Sequence, residues 1–307
     1  MSRPSHPFRP PARQGISPSC TFLPVGHWET YEDFLSERFP ALSREKWLER
    51  MAGGGVLDKM SKPVLPGSPY RPGDILYYYR YLENEPVIPF VETVLYQDEW
   101  LVVADKPHFL PVTPSGAYLK ETLLVRLKRR LGIDTLSPIH RIDRETAGLV
   151  VFAVQPHTRN SYQALFREKK VQKRYEAIAP WHGSIPPALL CETCLEKSDM
   201  FMQMRVVEGT PNARTLIFTE EIRGDRARYA LFPLTGRKHQ LRVQMASLGI
   251  PVKNDRIYPV LHPINSEVNS GSGAFANPLQ LLSKTLSFDD PVTGVLRHFQ
   301  SRQTLVL

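Results

Sequence analysis

The chain has 307 residues, room for one large domain or two modest ones at the usual ~100–200 residues per domain. Its 39 Lys and Arg against 31 Asp and Glu leave a formal charge of +8, a balance that favours polyanionic partners and says nothing about fold. A composition 42% hydrophobic and 23% charged excludes a mainly disordered chain, no stretch nears the ~18 apolar residues of a membrane span, and three cysteines are too few for a disulfide scaffold.

Residues 1–16 hold three arginines, four prolines and no acid, and the prolines forbid a continuous amphipathic helix. We read 1–28 as a flexible basic tail. Residues 29–82 read as a small helical and β module. Tyr31, Leu35 and Phe39 make one helical stripe, Ser43 is placed to cap a second helix, Gly53-Gly54-Gly55 breaks the chain, and a turn at Pro72-Gly73-Asp74 leads into a β-prone run.

Beyond residue 90 strand and helix signals interleave through to 307. TVLYQDEWLVVADKP reads as a hairpin, and KETLLVRLKRRLG as an amphipathic helix closed by Gly132. AGLVVFAV suits a buried strand, HTRNSYQALFREKK a helix, and KRYEAIA an alternating strand with Tyr175 and Ala177 on one face. TLIFTEEIRGDRARYALFPL turns at Gly224-Asp225, and HQLRVQMASLG is a helix ended by Gly249. Residues 263–277 have loop composition.

Three polar clusters stand out. Pro138 to Gly148 carries His140, Arg141, Asp143, Arg144 and Glu145 directly before the buried strand, so it is either a salt-bridge corner or a site. Thr235 and Gly236 open what reads as a helix with a basic first turn (Arg237, Lys238, His239), either a phosphate site or a solvated face. Arg242, five residues after Arg237, points elsewhere and is free to meet a buried carboxylate. The third cluster interleaves basic and aromatic side chains, among them Lys170, Lys173, Arg174 and Tyr175, as a surface that follows a phosphate backbone does.

Other chemistries lose their support. Cys191 and Cys194 have CxxC spacing without the second ligand pair of a structural zinc site. His140, Asp143 and His239 as a metal set would sit among arginines that repel a cation. No GxxxxGK[ST], GxGxxG or GxSxG occurs.

Together these segments resemble the RluA-type pseudouridine synthases. LYQDEWLVVADKPHFLPVTPSG is similar to the family's opening motif, and HRIDRETAGLVVFA to its catalytic motif HRLDRxTSGLLL. KRYEAIA, LTGRKHQLRVQMASLGIPVKND and LQLLSKTLSFDDPVTG match the strand, helix and closing segments that follow, from about Val91 to Gly294. The departures are Ala147 for a serine, Gln280 and Leu281 for histidine and alanine, and Lys253-Asn254-Asp255 for Val-Gly-Asp, where Asn can supply the positive φ of Gly. Residues 29–82 resemble a small RNA-binding module of a ribosomal protein, although their charge is nearly balanced.

The resemblance implies an α+β catalytic domain over 90–307, built on a long mixed, mostly antiparallel sheet, acting on ribosomal or transfer RNA. Asp143 becomes the essential carboxylate, Tyr175 the tyrosine that packs on the target base, and Arg242 the partner of the aspartate. Arg141 lies where the family holds the target nucleotide out of its stack, and His140, Arg144, Lys170, Lys173, Arg174, Arg237, Lys238 and His239 become RNA contacts. Isomerising uridine breaks a glycosidic bond and rejoins the base through carbon, which asks for an ionised carboxylate and no net redox or hydrolytic chemistry. We therefore expect no metal, no cofactor, no membrane and no obligate protein partner, in a soluble, cytoplasmic monomer. The alternative is a non-catalytic RNA-binding chaperone on the same scaffold. A glycosidase or nuclease would want a second carboxylate, for which only Glu145 is near.

Overall fold

The computed structural model describes residues 10–82, 84–183, 185–200, 202–262 and 275–307; the first nine residues of the expected tail and residues 263–274 of the expected loop lie outside these. Chain contacts divide the protein into two units, Met1–Glu85 and Pro86–Leu307.

The first unit contains β1 (Ser19–Phe22), α1 (Tyr31–Arg38), α2 (Arg44–Ala52), β2 (Val56–Leu57) and β3 (Ile75–Tyr78), with an antiparallel sheet ordered β1-β3-β2. Thr30 and Asp33 form a reciprocal capping box on α1, and Ser43 accepts from Lys46 N–H to start α2. Phe34, Leu35, Trp47, Met51, Val56 and Leu76 close the core beneath them. The tail boundary at residue 28 is corrected here. Ser19–Phe22 is a strand paired with β3, and the Tyr79 hydroxyl donates to the Pro11 carbonyl at 2.6 Å. The five residues between Pro18 and Pro24 carry too little periodicity to signal a strand; the open edge of β3 supplies the pairing that fixes four of them.

The second unit runs β4 (Thr93–Gln97), β5 (Leu101–Lys106), α3 (Leu123–Leu131), β6 (Ser137–Pro138), β7 (Ala147–Ala153), α4 (Arg159–Arg167), β8 (Gln172–Pro180), β9 (Ala188–Lys197), β10 (Met204–Val207), β11 (Ala213–Arg223), β12 (Arg226–Pro233), α5 (Gln240–Ser247), β13 (Leu281–Asp289) and β14 (Leu296–Gln300). Its sheet is ordered β10-β9-β11-β12-β8-β13-β7-β5-β4, with β14 on β13 and β6 on β7. Every pair is antiparallel except β7 with β13, so this is a mixed, mostly antiparallel sheet in an α+β fold.

The apolar run of β7 follows from cover on both faces. Val150 and Phe152 pack with Val102, Ala104, Leu123 and Leu127 on the α3 side. Leu149, Val151 and Ala153 pack with Leu101, Val103, Tyr162 and Leu165 on the α4 side. Each such side chain contributes roughly 1.5–3 kcal/mol. At the start of β7 the parallel pairing sets Gly148 beside Ser283, and β8 sets Tyr175 beside Ser283 from the other edge. Gly148 has φ 105, and a Cβ there would lie 2.2 Å from the Ser283 carbonyl oxygen. Only glycine permits that approach. The polar turn 139–146 therefore delivers its side chains to the middle of the sheet.

Candidate active site

The turn before β7 is held by groups that the sequence offered for other roles. His140 Nε2 accepts the Val151 N–H at 3.1 Å, and the ring stacks on Phe166 at 4.4 Å. Burial, with Lys173 adding to it, pushes His140 down to about 3, so the ring is neutral. His140 thus fixes the turn and brings no charge toward a phosphate. Lys106, fully buried, donates to the carbonyls of Pro107 (2.9 Å) and Arg144 (3.0 Å). It thereby ties the chain just after Asp143 to the end of β5. Burial pulls this lysine down to about 7, with Glu145 and Asp143 opposing.

Asp143 emerges from the turn with its side chain 28% exposed. Its Oδ2 lies 3.3 Å from Arg242 Nη1, and its Oδ1 lies 3.9 Å from His239 Nε2. Arg242 is 2% exposed on α5, and its main partner is Asp255, which sequence reasoning did not place in the site. Nε bonds Asp255 Oδ2 at 2.7 Å and Nη2 bonds Oδ1 at 2.6 Å, a two-pronged geometry open only to a guanidinium. Asp255 also accepts from the backbone N–H of Ile257 (2.8 Å) and Tyr258 (3.1 Å). Burial alone would lower the Arg242 pKa; hydrogen bonds and charge from Asp255, then Asp143, drive it upward. Asn254 takes φ 65, the positive angle its replacement of glycine required, and its amide bonds the Pro278 carbonyl at 2.9 Å.

Tyr175 is half-buried on β8, its ring against the cluster that includes Ala177, Tyr229 and Leu241. Burial pushes the phenol up to about 12, Ser283 opposes by a hydrogen bond, and the charge of Asp143 adds to the rise. The hydroxyl therefore stays protonated at neutral pH. Glu145 is held by Arg144 Nε at 2.7 Å, and that guanidinium lies over Tyr118.

The remaining expected RNA contacts divide into tied and available cations. Arg174 is spent on Glu176 and Glu220, and Lys170 pairs with Glu168. Lys173 is partly buried, which lowers its pKa, and reaches the Thr235 carbonyl at 3.4 Å. Arg141 and Lys238 are exposed with no ion pair among the described residues, and the exposed Arg237 guanidinium donates to the Asn212 carbonyl at 3.3 Å. The helix start at Thr235-Gly236 is corrected. Thr235 Oγ1 and Arg237 N–H bond Gln240 Oε1 at 2.7 and 3.1 Å, closing the polar turn before α5 begins at Gln240. Arg237 and Lys238 stand on that turn, outside the helix. His239 is 7% exposed and lies toward Asp143. Among the described residues no cluster of His, Cys, Asp and Glu could hold a metal ion, and no helix is long and apolar enough to cross a membrane.

A family profile described as RNA pseudouridylate synthase matches residues 100–247. An uncharacterized RNA pseudouridine synthase of Synechocystis is 32% identical over 76% of this chain and 81% of its own. The dual-specificity RNA pseudouridine synthase RluA of Salmonella typhimurium is 30% identical, over 69% of this chain and 92% of its own. The solved structure of human RNA pseudouridylate synthase domain containing 4 superposes with a TM-score of 0.54 at 26% identity, covering 69% of this chain and 88% of that one.

Proposed function

Because the chain belongs to the RluA-type pseudouridine synthases and is an RNA pseudouridine synthase, we propose that it isomerises particular uridines in structured ribosomal or transfer RNA, with Asp143 as the carboxylate that acts on the nucleotide. The observation that carries this reading is the arginine bridge. Arg242 uses two prongs on buried Asp255 and aims its remaining Nη1 at the half-open carboxylate of Asp143. A surface that only binds phosphates gains nothing from holding a carboxylate among them.

In the reaction N1–C1′ breaks and C5–C1′ forms, while a proton leaves C5 and one is gained at N1. Asp143 either attacks the nucleotide or takes the proton, and stabilises positive charge that develops on the sugar. Tyr175 offers its ring to the displaced uracil, offsetting part of the few kcal/mol that unstacking costs. Arg141, Arg237 and Lys238 are the cations left to hold the flipped nucleotide and the backbone. The unit before residue 86 serves as an accessory RNA contact, and the protein works as a cytoplasmic monomer.

The test is carbodiimide-based pseudouridine mapping of total RNA in cells lacking the gene, complemented with wild type or Asp143→Asn. Sites that vanish and return only with wild type support the reading. In vitro, Asp143→Asn is expected to lose isomerisation while RNA affinity stays within about tenfold, because cations do most of the binding. Turnover above about one per cent of wild type would overturn the role of Asp143, since an amide neither attacks nor accepts a proton here.

A further inference from the structure

His239 is the residue of the site that the arginine bridge leaves unexplained. It precedes α5 at φ 54, a backbone angle that a non-glycine residue holds only when its surroundings require it. The ring is buried and packs edge-on against Tyr258, with centroids 5.7 Å apart. One nitrogen, Nδ1, lies 2.8 Å from the Tyr258 hydroxyl, and the other, Nε2, lies 3.9 Å from Asp143 Oδ1.

The position of the ring proton follows from counting donors. The Tyr258 oxygen already accepts the Met204 N–H at 2.8 Å. If Nδ1 carried the proton, that oxygen would accept a second time and its own proton would have no acceptor among the described residues. Leaving a buried donor unmade is costly. Tyr258 therefore donates to Nδ1, and the proton of the neutral imidazole sits on Nε2. Neutrality follows from burial, which pushes His239 down to about 4 against the opposing charge of Asp143, with Arg242 and Lys238 assisting. Tyr258 stays a donor because burial pushes its phenol up to about 12.

We infer that His239 is a positioning residue for the reaction: the relay from Met204 N–H through the Tyr258 hydroxyl fixes an Nε2–H donor that faces Asp143 Oδ1 while Arg242 holds Oδ2. Two donors from two places then define the plane of the carboxylate. The present 3.9 Å is beyond hydrogen-bond reach and closes when the nucleotide seats, as site hydrogen bonds commonly do. The opposite tautomer would point a lone pair at the carboxylate and turn it away. The other groups whose charge or hydroxyl bears on Asp143 are Lys106, Tyr175 and Tyr258. The Tyr258 proton is already given to Nδ1, and no relay of this kind fixes a proton on Lys106 or Tyr175 toward Asp143. The inference rests on Asp143 as the reacting carboxylate.

The test begins with the side-chain nitrogen spectrum of His239 in the full chain, which reports the tautomer without any turnover. The Nε2–H form is expected, and the Nδ1–H form overturns the inference. Next, single-turnover rates are measured with RNA saturating. His239→Asn is expected to lose about 10- to 100-fold, the worth of a hydrogen bond to a charged group, with RNA affinity unchanged. His239→Gln, whose longer amide places an N–H where Nε2 stood, is expected to recover most of that rate. Asparagine tolerates positive φ better than glutamine, so backbone strain would rank the two variants the other way. Equal rates for the two, or a wild-type rate for His239→Asn, overturn the positioning role. Turnover by Asp143→Asn would sink the catalytic reading itself, whereas an inactive Asp143→Asn with the Nδ1–H tautomer would sink this inference alone.

Discussion

Asp255→Asn tests whether the site is built from behind. Oδ1 of Asp255 accepts three bonds, from Arg242 Nη2 and the backbone N–H groups of Ile257 and Tyr258, and Oδ2 accepts one from Arg242 Nε. Asparagine can keep its carbonyl at the Oδ1 position, which then turns its NH2 toward Nε–H, donor against donor. The loss is one charge-assisted bond and the neutralising charge beside a guanidinium that is 2% exposed. Breaking a buried pair from one side costs about 3–5 kcal/mol. At about 2–4 °C per kcal/mol for a unit of this size, Tm is expected to fall by roughly 6–20 °C. The remaining partner of Arg242 is Asp143, so the guanidinium shifts toward it and the carboxylate leaves its working geometry. A misplacement near 1 Å costs on the order of 100-fold in rate. Thermal unfolding and single-turnover isomerisation on the same preparation read both effects. A Tm within about 2 °C of wild type together with an unchanged rate would refute the reasoning, because it would mean that Arg242 is anchored without Asp255.

Tyr175→Phe keeps the ring and removes a hydroxyl that Ser283 holds and the charge of Asp143 reaches; the expected loss is about 100-fold or more in single-turnover rate, the scale of proton transfer by a positioned group. A near-normal rate would leave the ring with stacking alone. Lys106 gives a pH signature. Its folded pKa of about 7 lies below the ordinary 10.5, so between these values the unfolded chain binds more protons and stability rises with pH. Denaturant unfolding of wild type against Lys106→Met across that window is expected to show wild type gaining relative to the variant as pH rises; a flat difference would mean the lysine is not buried as a charge.

Much of the fold was legible because its signals are local. The hairpin at Asp98-Glu99, the helix ended by Gly132 and the turn at Gly224-Asp225 each rest on residues adjacent in sequence, and the strands and helices form there. What was not legible depends on partners far along the chain. β1 needs the edge of β3, 59 residues on at Ser19 and Tyr78, to become a strand. The start of α5 was misplaced because Gln240 reaches back to Thr235 and Arg237, a side-chain contact that composition does not encode.

The site divides the same way, into residues set by motifs and residues whose partners lie far along the chain. Asp143, Tyr175 and Arg242 were singled out through residue types set in motifs, and the fold brings Asp143 and Arg242 within 3.3 Å of each other. The cations are harder to sort, because a sequence gives the sign of a charge but not its partner. Arg174 reads as a phosphate contact until Glu220 is seen to occupy it, and Arg242, read as the mate of Asp143, meets it through Nη1 while Asp255 takes its other two prongs. Histidines are harder still, because burial decides whether they carry charge at all. His140 and His239 sit in basic segments and both are neutral, held down by lost hydration. Their work is therefore directional: one accepts a backbone N–H and fixes the turn, and the other presents a single N–H toward the carboxylate. A dry interior favours such groups, since a neutral donor orients Asp143 without compensating the charge that the proposed reaction needs.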